Sequence, residues 1–387
     1  MQTFIGGNAI TLLRSGAEYF PAVVDAINRA QRSVYIETYI FANDHSGVLV
    51  AGALVAAATR GLDVRVVVDG FGTRPYLTPT MEQTLRSVGV VLVRYRDDVL
   101  PTTWRRARLR RLHRKLVVVD GESAFVGGIN MIDDMNTPGQ TPPRVDFAIR
   151  VEGPILLPIV SAVTRLWRVL RLVQVDLPRL PPLQLDAVIE PRGTIKAKFV
   201  VRDNLRFRRQ IEIAYLAALR VARSEVVIAS AYFFPGIRFR RALIAAVSRG
   251  VTVTLILQAR VEFRLLHYAT RALYGQLLAG GVHIVEYERS FLHAKVAVVD
   301  GVWATVGSSN IDPFSLLLAR EANVFVRDAE FAGSLRRELA KLESEGGRVV
   351  NRATWDERSL TTRVMNWCAY GFARAMTGWL GGRAARW

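Results

Sequence analysis

The sequence predicts an α/β protein made of two similar halves followed by a helical tail. Three observations carry that prediction. Helical and strand patterns alternate along the chain, one set of polar residues occurs twice at a separation of 180 residues, and a proline-rich stretch lies between the copies.

The elements repeat in order. In the first half, residues 22–31 read as a helix, 33–41 as a strand, 47–60 as a helix and 62–68 as a strand. In the second, 209–223 read as a helix, 225–231 as a strand, 238–249 as a helix and 251–257 as a strand. Arg60-Gly61 and Arg249-Gly250 end the matching helices, where glycine supplies the left-handed cap. The apolar runs 116–119 and 296–299 read as strands closed by Asp-Gly turns, and 146–151 and 321–326 as strands that each open on a carboxylate. Residues 154–175 come nearest to a membrane span. Arg165, Arg168 and Arg171 interrupt them, so a helix packed on a sheet with a basic outer face is expected instead. Pro178, Pro181, Pro182 and Pro191 break regular structure. The expected divisions are therefore 1–176, a linker at 177–193, a second domain at 194–345, and a tail at 346–387 with no counterpart in the first half.

Composition narrows the classes. Half of the 387 residues are hydrophobic, which excludes a disordered chain and leaves room for two cores. The formal charge of +18 calls for an anionic partner, whether nucleic acid, an acidic lipid surface or a phosphorylated substrate. Arginine, at 47 against five lysines, suits a bidentate grip on phosphate. The single cysteine, Cys368, excludes an internal disulfide. Residues 1–15 do not read as a secretory signal, and no run of about 18 apolar, uncharged residues marks a transmembrane helix.

The repeated set is the chemical signal. His113, Lys115, Asp120, Gly127, Gly128 and Asn130 match His293, Lys295, Asp300, Gly307, Ser308 and Asn310 in spacing. With five lysines in the chain, a given histidine meets Lys two positions on roughly once in eighty by chance. Two occurrences with the same downstream Asp and Gly-x-x-Asn are not accident. On a strand, positions i and i+2 share a face, so each His and Lys point the same way. Two such sets suit a two-step phosphodiester exchange, in which one histidine attacks phosphorus and the other protonates the leaving alcohol.

This doubled pattern resembles the phospholipase D superfamily. Residues 36–41, 126–130, 232–236, 304–313 and 321–325 are similar to its short bacterial cardiolipin synthases without membrane-spanning helices. The resemblance covers the chain to about residue 345. It implies two tandem phospholipase D-like domains related by a pseudo-twofold axis, each a β-sheet between helical layers, with the active site between them. It also implies that an acidic residue orients the histidine of the opposite half, which pairs His113 with Glu321 and His293 with Asp146. The family commonly has Asp where Glu321 stands.

The roles follow from what a phosphodiester requires. Lys115 and Lys295 neutralise its charge, Asn130 and Asn310 donate to non-bridging oxygens, Gly128 keeps bulk out of the turn and Ser308 adds a hydroxyl. His113 is expected to be the nucleophile and His293 the acid and then the base, although the near-symmetry leaves the reverse open. Asp120 and Asp300 complete the motif's catalytic set, but lying beyond the strand beside Gly they suit holding the loop. Glu37, polar in an apolar strand, is either a site residue or a buried, satisfied carboxylate. The scheme calls for no cofactor, and the Asp/His spacing offers no metal cluster.

Lipid is the expected substrate. The run 104–111 interleaves cations with Trp and Leu just before His113. In the tail, Leu360, Val364, Cys368, Phe372, Met376 and Leu380 recur every four residues with Met365, Trp367 and Trp379 nearby, which suits either an interfacial amphipathic helix or one docked on the protein's own core. The reading is a cardiolipin-forming phosphatidyltransferase, peripheral on the cytoplasmic face of a bacterial cell membrane, with anionic phospholipids as substrates and no nucleic acid expected. Phospholipase D-type hydrolysis of phospholipid or nucleic acid is the alternative, and a non-catalytic lipid-binding protein a distant third. Oligomeric state is not legible.

Overall fold

Apolar runs buried along their whole length set the central strands. The computed structural model describes residues 3–97, 110–173, 181–203, 207, 209–260, 264–312 and 319–381, without the side chains of 173 and 377–381. In chain order the first elements are β1 (Ile5–Arg14), α1 (Ser15–Arg29), β2 (Ser33–Thr38), α2 (His45–Thr59), β3 (Asp63–Asp69), α3 (Pro79–Ser87), β4 (Val91–Tyr95), β5 (Arg111–Leu112), β6 (Leu116–Val119) and β7 (Ser123–Gly127). There follow β8 (Arg144–Val145), β9 (Phe147–Glu152), α4 (Leu156–Val173) and β10 (Ile195–Arg202). The second half supplies α5 (Gln210–Val221), β11 (Glu225–Ser230), α6 (Ile237–Val247), β12 (Thr252–Gln258), α7 (Arg264–Ala279), β13 (His283–Tyr287), β14 (Phe291–Leu292), β15 (Lys295–Val299) and β16 (Trp303–Gly307). Last come β17 (Ala319–Arg327), α8 (Ala329–Gly346), β18 (Gly347–Val349), α9 (Arg352–Asp356) and α10 (Leu360–Gly381).

These elements form two units, and neither is an unbroken half of the chain. The first comprises 1–133, 147–201 and 320–326, and the second 134–146, 202–319 and 327–387. In the first, the strand order is β17-β10-β1-β9-β7-β6-β2-β3-β4, with β5 on β17. β2 pairs parallel to β3 from Ser33↔Asp63, and antiparallel to β6 from Val34↔Val119. The second has β18-β13-β12-β11-β15-β16 and a separate β14-β8 pair. There β11 runs parallel to β12 from Glu225↔Thr252 and antiparallel to β15 from Val226↔Val299. The five strands β4-β3-β2-β6-β7 thus match β13-β12-β11-β15-β16 in order and direction, and the sequence repeat is a repeat of structure.

The helices bury apolar stripes on these sheets. Val23 and Ile27 of α1 and Val50 and Leu54 of α2 are inaccessible to solvent and join Val66 and Phe125 in one core. Each such side chain contributes about 1.5–3 kcal/mol by leaving water. α2 starts two residues before its expected position because Asp44 accepts the Gly47 amide at 3.0 Å as an N-cap. A β-carbon at Gly47 would come within 1.8 Å of the Ala42 carbonyl oxygen, so only glycine fits there. α4 buries Val163, Leu166, Trp167 and Leu170 and exposes Arg165, Arg168 and Arg171, the expected packed helix with a basic face. No helix among the described residues is long and apolar enough to cross a membrane.

The units depart from the contiguous domains read from sequence in several places, each for a physical reason, and β10, expected in the second domain, pairs with β1 in the first unit. Segments 134–146 and 320–326 leave their own halves because their strands pair with the short strands preceding the histidines. Within the described part of the proline-rich stretch, residues 181–193 lie against the first unit. Prolines lack an amide donor, but the Pro181 carbonyl accepts from Trp167 Nε1 and Arg65 Nη1, and that of Pro182 from Arg65 Nη2. The tail belongs with the second unit, where α10 lies along α7.

Candidate active site

Each histidine is set by a short strand pair that also fixes its carboxylate. In the first unit β5 pairs with β17, and the His113 amide donates to the Arg320 carbonyl at 3.0 Å. Glu321, the next residue, is thereby brought alongside. His113 Nδ1 lies 2.9 and 3.1 Å from the two Glu321 oxygens. The second unit repeats this, with β14 parallel to β8 and the His293 amide donating to the Val145 carbonyl at 2.8 Å. Asp146 follows Val145, and its Oδ2 lies 2.6 Å from His293 Nδ1. Both carboxylates are out of water, at 0 % exposure for Glu321 and 1 % for Asp146. With Nδ1–H donating to the acid, each ring keeps Nε2 as its reactive nitrogen.

The lysines share the face of their histidines. Lys115 Nζ donates to the His113 carbonyl at 2.7 Å and lies 5.5 Å from the centre of the Tyr39 ring. Lys295 Nζ reaches the His293 carbonyl, lies 2.8 Å from its Nδ1 and 3.5 Å from Asp146 Oδ2. Burial and the Lys295 ammonium push His293 down to about 3, against the opposing pull of Asp146, so its ring is neutral at neutral pH.

The asparagine turns follow β7 and β16. Gly127 packs so closely on β9 that a β-carbon would meet Ala148 Cα at 2.5 Å, and the Gly128 amide donates to the Phe147 carbonyl at 2.9 Å. Asn130 Oδ1 accepts the Ile40 amide at 3.2 Å, which fixes the amide plane and leaves Nδ2 as a donor. Ser308 and Asn310 are buried at the matching turn, and Asn310 Oδ1 has no hydrogen-bond partner among the described residues.

Asp120 and Asp300 are not with these groups. Each lies five residues beyond its lysine, about 16 Å along a strand at ~3.3 Å per residue. Asp120 accepts the amides of Gln31, Arg32 and Ser33, each at 2.8 Å, and Asp300 those of Arg223, Ser224 and Glu225. Both sit at positive φ, 54° and 52°, to make those bonds. They hold the corner that launches β2 and β11, as their place beyond the strand suggested, and do not stand with the catalytic side chains. Asp120→Ala is expected to cost about 2–4 kcal/mol of stability, as three amides lose a charged acceptor. Turnover per folded molecule should be unchanged, as denaturation and activity measured on the same preparation would show.

Glu37 resolves to the second of its two readings. It is inaccessible to solvent, 2.8 Å from Arg114 Nη2, and accepts the Tyr35 hydroxyl at 3.0 Å. Burial raises its pKa against the pull of Arg114. Arg114 is itself only 3 % exposed, so the charges of this pair are satisfied within the core. Of the basic run 104–111 only Arg110 and Arg111 fall among the described residues.

Sequence reasoning missed the groups that brace the histidine strands. Asp69, at the end of β3, accepts the Leu112 amide at 2.7 Å; Gln258, at the end of β12, accepts that of Leu292 at 2.8 Å. Burial raises Asp69 to about 6. The signal was present in the repeat, since both residues close matching strands. Tyr39 stands edge-on to His113 at 5.0 Å between ring centres. It rests over Gly72, where a β-carbon would meet the ring at 2.5 Å.

Comparison with known proteins gives a consistent picture. The family model described as "Cardiolipin synthase, PLD-like domain" matches residues 23–137 and 215–343. The chain is 38% identical to Cardiolipin synthase B of Escherichia coli K12, across 97% of this chain and 90% of that protein. It is 29% identical to Cardiolipin synthase A of Erwinia tasmaniensis, across 95% of this chain and 76% of that one. The crystal structure of phosphatidylserine synthase from Haemophilus influenzae Rd KW20 shares the fold, with a TM-score of 0.71 at 14% identity over 98% of this chain and 96% of that one.

Proposed function

Because this chain belongs to the cardiolipin synthase family of phospholipase D-like proteins, we propose that it is a phosphatidyltransferase making cardiolipin from phosphatidylglycerol and a second phospholipid. The observation that carries the reading is the doubled dyad, a histidine whose Nδ1 is held by a buried carboxylate in each unit. A single dyad suffices to activate one nitrogen. Two supply the attacking nitrogen and the proton donor that a double displacement at phosphorus needs.

Nε2 of His113 attacks phosphorus and the bond to the departing glycerol oxygen breaks, with His293, which takes up a second proton on Nε2 together with the anionic phosphate, delivering the proton that oxygen requires. Glu321 offsets the positive charge that the N–P bond leaves on the His113 ring, using both of its oxygens. A hydroxyl of the acceptor phospholipid then gives its proton to His293 and attacks phosphorus, and the N–P bond breaks to restore the free ring. Lys115, Lys295, Asn130 and Asn310 balance the charge on the non-bridging oxygens. The reverse order has support of its own, since burial and the Lys295 ammonium hold His293 well below the usual imidazole range and so keep its ring neutral, as a nucleophile must be. The substrate sits at a bilayer surface, which makes the enzyme a peripheral membrane protein that meets its lipids from the cytoplasmic side.

The test is direct. Purified protein is incubated separately with phosphatidylglycerol vesicles and with labelled DNA. Cardiolipin together with released glycerol is the expected outcome. Cleavage of DNA, or release of phosphatidic acid without cardiolipin, would replace transfer with hydrolysis.

A further inference from the structure

The second unit holds a cationic cavity whose lining includes no member of that unit's dyad. It has a volume of about 440 Å³ and lies among α6, α7, α9 and α10, lined by Arg240, Arg271, Arg358, Arg363, Asn366 and Trp367. Arg271 lies 2.7 Å from the buried Glu286, a carboxylate it shares with Arg348. Arg240, Arg358 and Arg363 have no carboxylate within ion-pair distance among the described residues. The nearest acid on the wall, Asp356, is 3.7 Å from Arg352.

Several polar atoms of this cavity are buried without partners. Arg240 is only 8 % exposed, and although Nη1 donates to Gln276 Oε1 at 2.5 Å, its Nε has no acceptor among the described residues. Arg358 donates Nε to the Trp355 carbonyl at 2.6 Å and leaves Nη1 unused. The Asn366 side chain, 2 % exposed, has an unpartnered Oδ1. An unpaired buried donor is costly, so Arg240 Nε and Arg358 Nη1 suit a ligand that supplies acceptors and negative charge, whereas Asn366 Oδ1, itself an acceptor, suits a hydroxyl of the same ligand. Burial, with Arg271 and Arg363 close by, pushes Arg358 down to about 10, which accords with an excess of cations there.

The surface beside the cavity indicates where such a ligand comes from. α10 turns Asn366 and Ala373 inward, and both are buried. Its apolar stripe faces the other way, with Leu360 at 74 %, Val364 at 52 % and Phe372 at 58 % exposure, and Cys368 exposed between them. From Leu360 to Phe372 that stripe runs about 18 Å at 1.5 Å per residue. Trp367 is 59 % exposed and also lines the cavity, so an indole stands where the cationic cavity meets the apolar stripe. Cations at headgroup depth, apolar side chains beyond them and tryptophan between are the arrangement of an interfacial helix on anionic lipid.

We infer that this cavity receives the phosphate of an anionic phospholipid in the bilayer while the outer stripe of α10 enters the headgroup boundary, docking the second unit on the membrane apart from the catalytic groups. The ligand is bound, not transformed. Because the readout is binding, the inference stands or falls separately from the proposed transfer reaction.

The experiment uses the full chain and flotation with two kinds of vesicle, phosphatidylcholine alone and equal parts phosphatidylglycerol and phosphatidylcholine. Wild type is expected to float with the second kind only. Arg358→Gln/Arg363→Gln should weaken that binding about 30-fold, at about 1 kcal/mol for each cation near anionic lipid. Arg220→Gln/Arg337→Gln, which removes the same charge from exposed helical positions of the same unit, should bind nearly as wild type does. Trp367→Ser/Phe372→Ser should also lose vesicle binding. Turnover of detergent-dispersed phosphatidylglycerol should survive in all these variants. Equal losses in the two arginine pairs would reduce the effect to net charge and overturn the site. So would wild-type flotation by Arg358→Gln/Arg363→Gln, a loss of its turnover in detergent that matches the loss on vesicles, or stabilisation by inorganic phosphate in a protein that ignores both vesicles.

Discussion

Alanine at His113 or at His293 is expected to lower cardiolipin formation by at least about 10⁴-fold, and the double variant should be little worse than either single one. The reason is that the groups act as a unit. Without the attacking nitrogen no covalent intermediate forms, and without the proton donor the leaving oxygen departs as an alkoxide. The fold should survive, because each ring bonds to a carboxylate that its own strand already holds in place. Single turnovers quenched in dodecyl sulfate at neutral pH, where the acid-labile N–P bond survives, then separate the order of events. A phosphatidyl adduct in His293→Ala and none in His113→Ala supports attack by His113, and the opposite pattern supports attack by the neutral His293. Wild-type turnover in either alanine variant would end the two-histidine scheme.

The second large effect is expected at the carboxylates. Glu321→Gln and Asp146→Asn keep shape and remove charge. Each amide can turn its NH₂ toward Nδ1 and draw the proton to Nε2, the nitrogen that must react. A fall in kcat of about 10²–10⁴-fold with little change in KM is expected from steady-state assays on phosphatidylglycerol. Asp146→Asn should be the more damaging, since Asp146 also stands 3.5 Å from Lys295 and is the group that opposes the downward push on His293. A rise in KM at constant kcat would instead make these carboxylates part of substrate binding.

Much of this was legible in the residues, because periodicity and spacing report faces. The alternation of helices and strands, the shared face of His and Lys, and the loop-holding position of Asp120 and Asp300 all depend on local chain geometry. The proximity of each histidine to a carboxylate from the opposite half came from family resemblance, as no local pattern reports it. Partner strands are the harder matter. An apolar alternation shows that a segment is buried on one side without saying against which neighbour, so the transfer of 134–146 and 320–326 out of their halves was invisible. The same limit hid Asp69 and Gln258, which act on amides 43 and 34 residues away, and left Glu37 undecided until Arg114 was seen beside it. In the tail, the four-residue apolar spacing marks a stripe, but only the structure shows that Leu360, Val364, Cys368 and Phe372 of that stripe face outward.

The crossing of the chain has a consequence for how such a protein can be taken apart. A cut in the proline-rich stretch would leave one fragment carrying His113 and Asp146 and another carrying His293 and Glu321, so each imidazole would be parted from its acid. Neither copy is a spare. The duplication has become mutual dependence, in which damage to one repeat disarms the other, and activity recovered by mixing fragments would report reassembly rather than an autonomous half-enzyme.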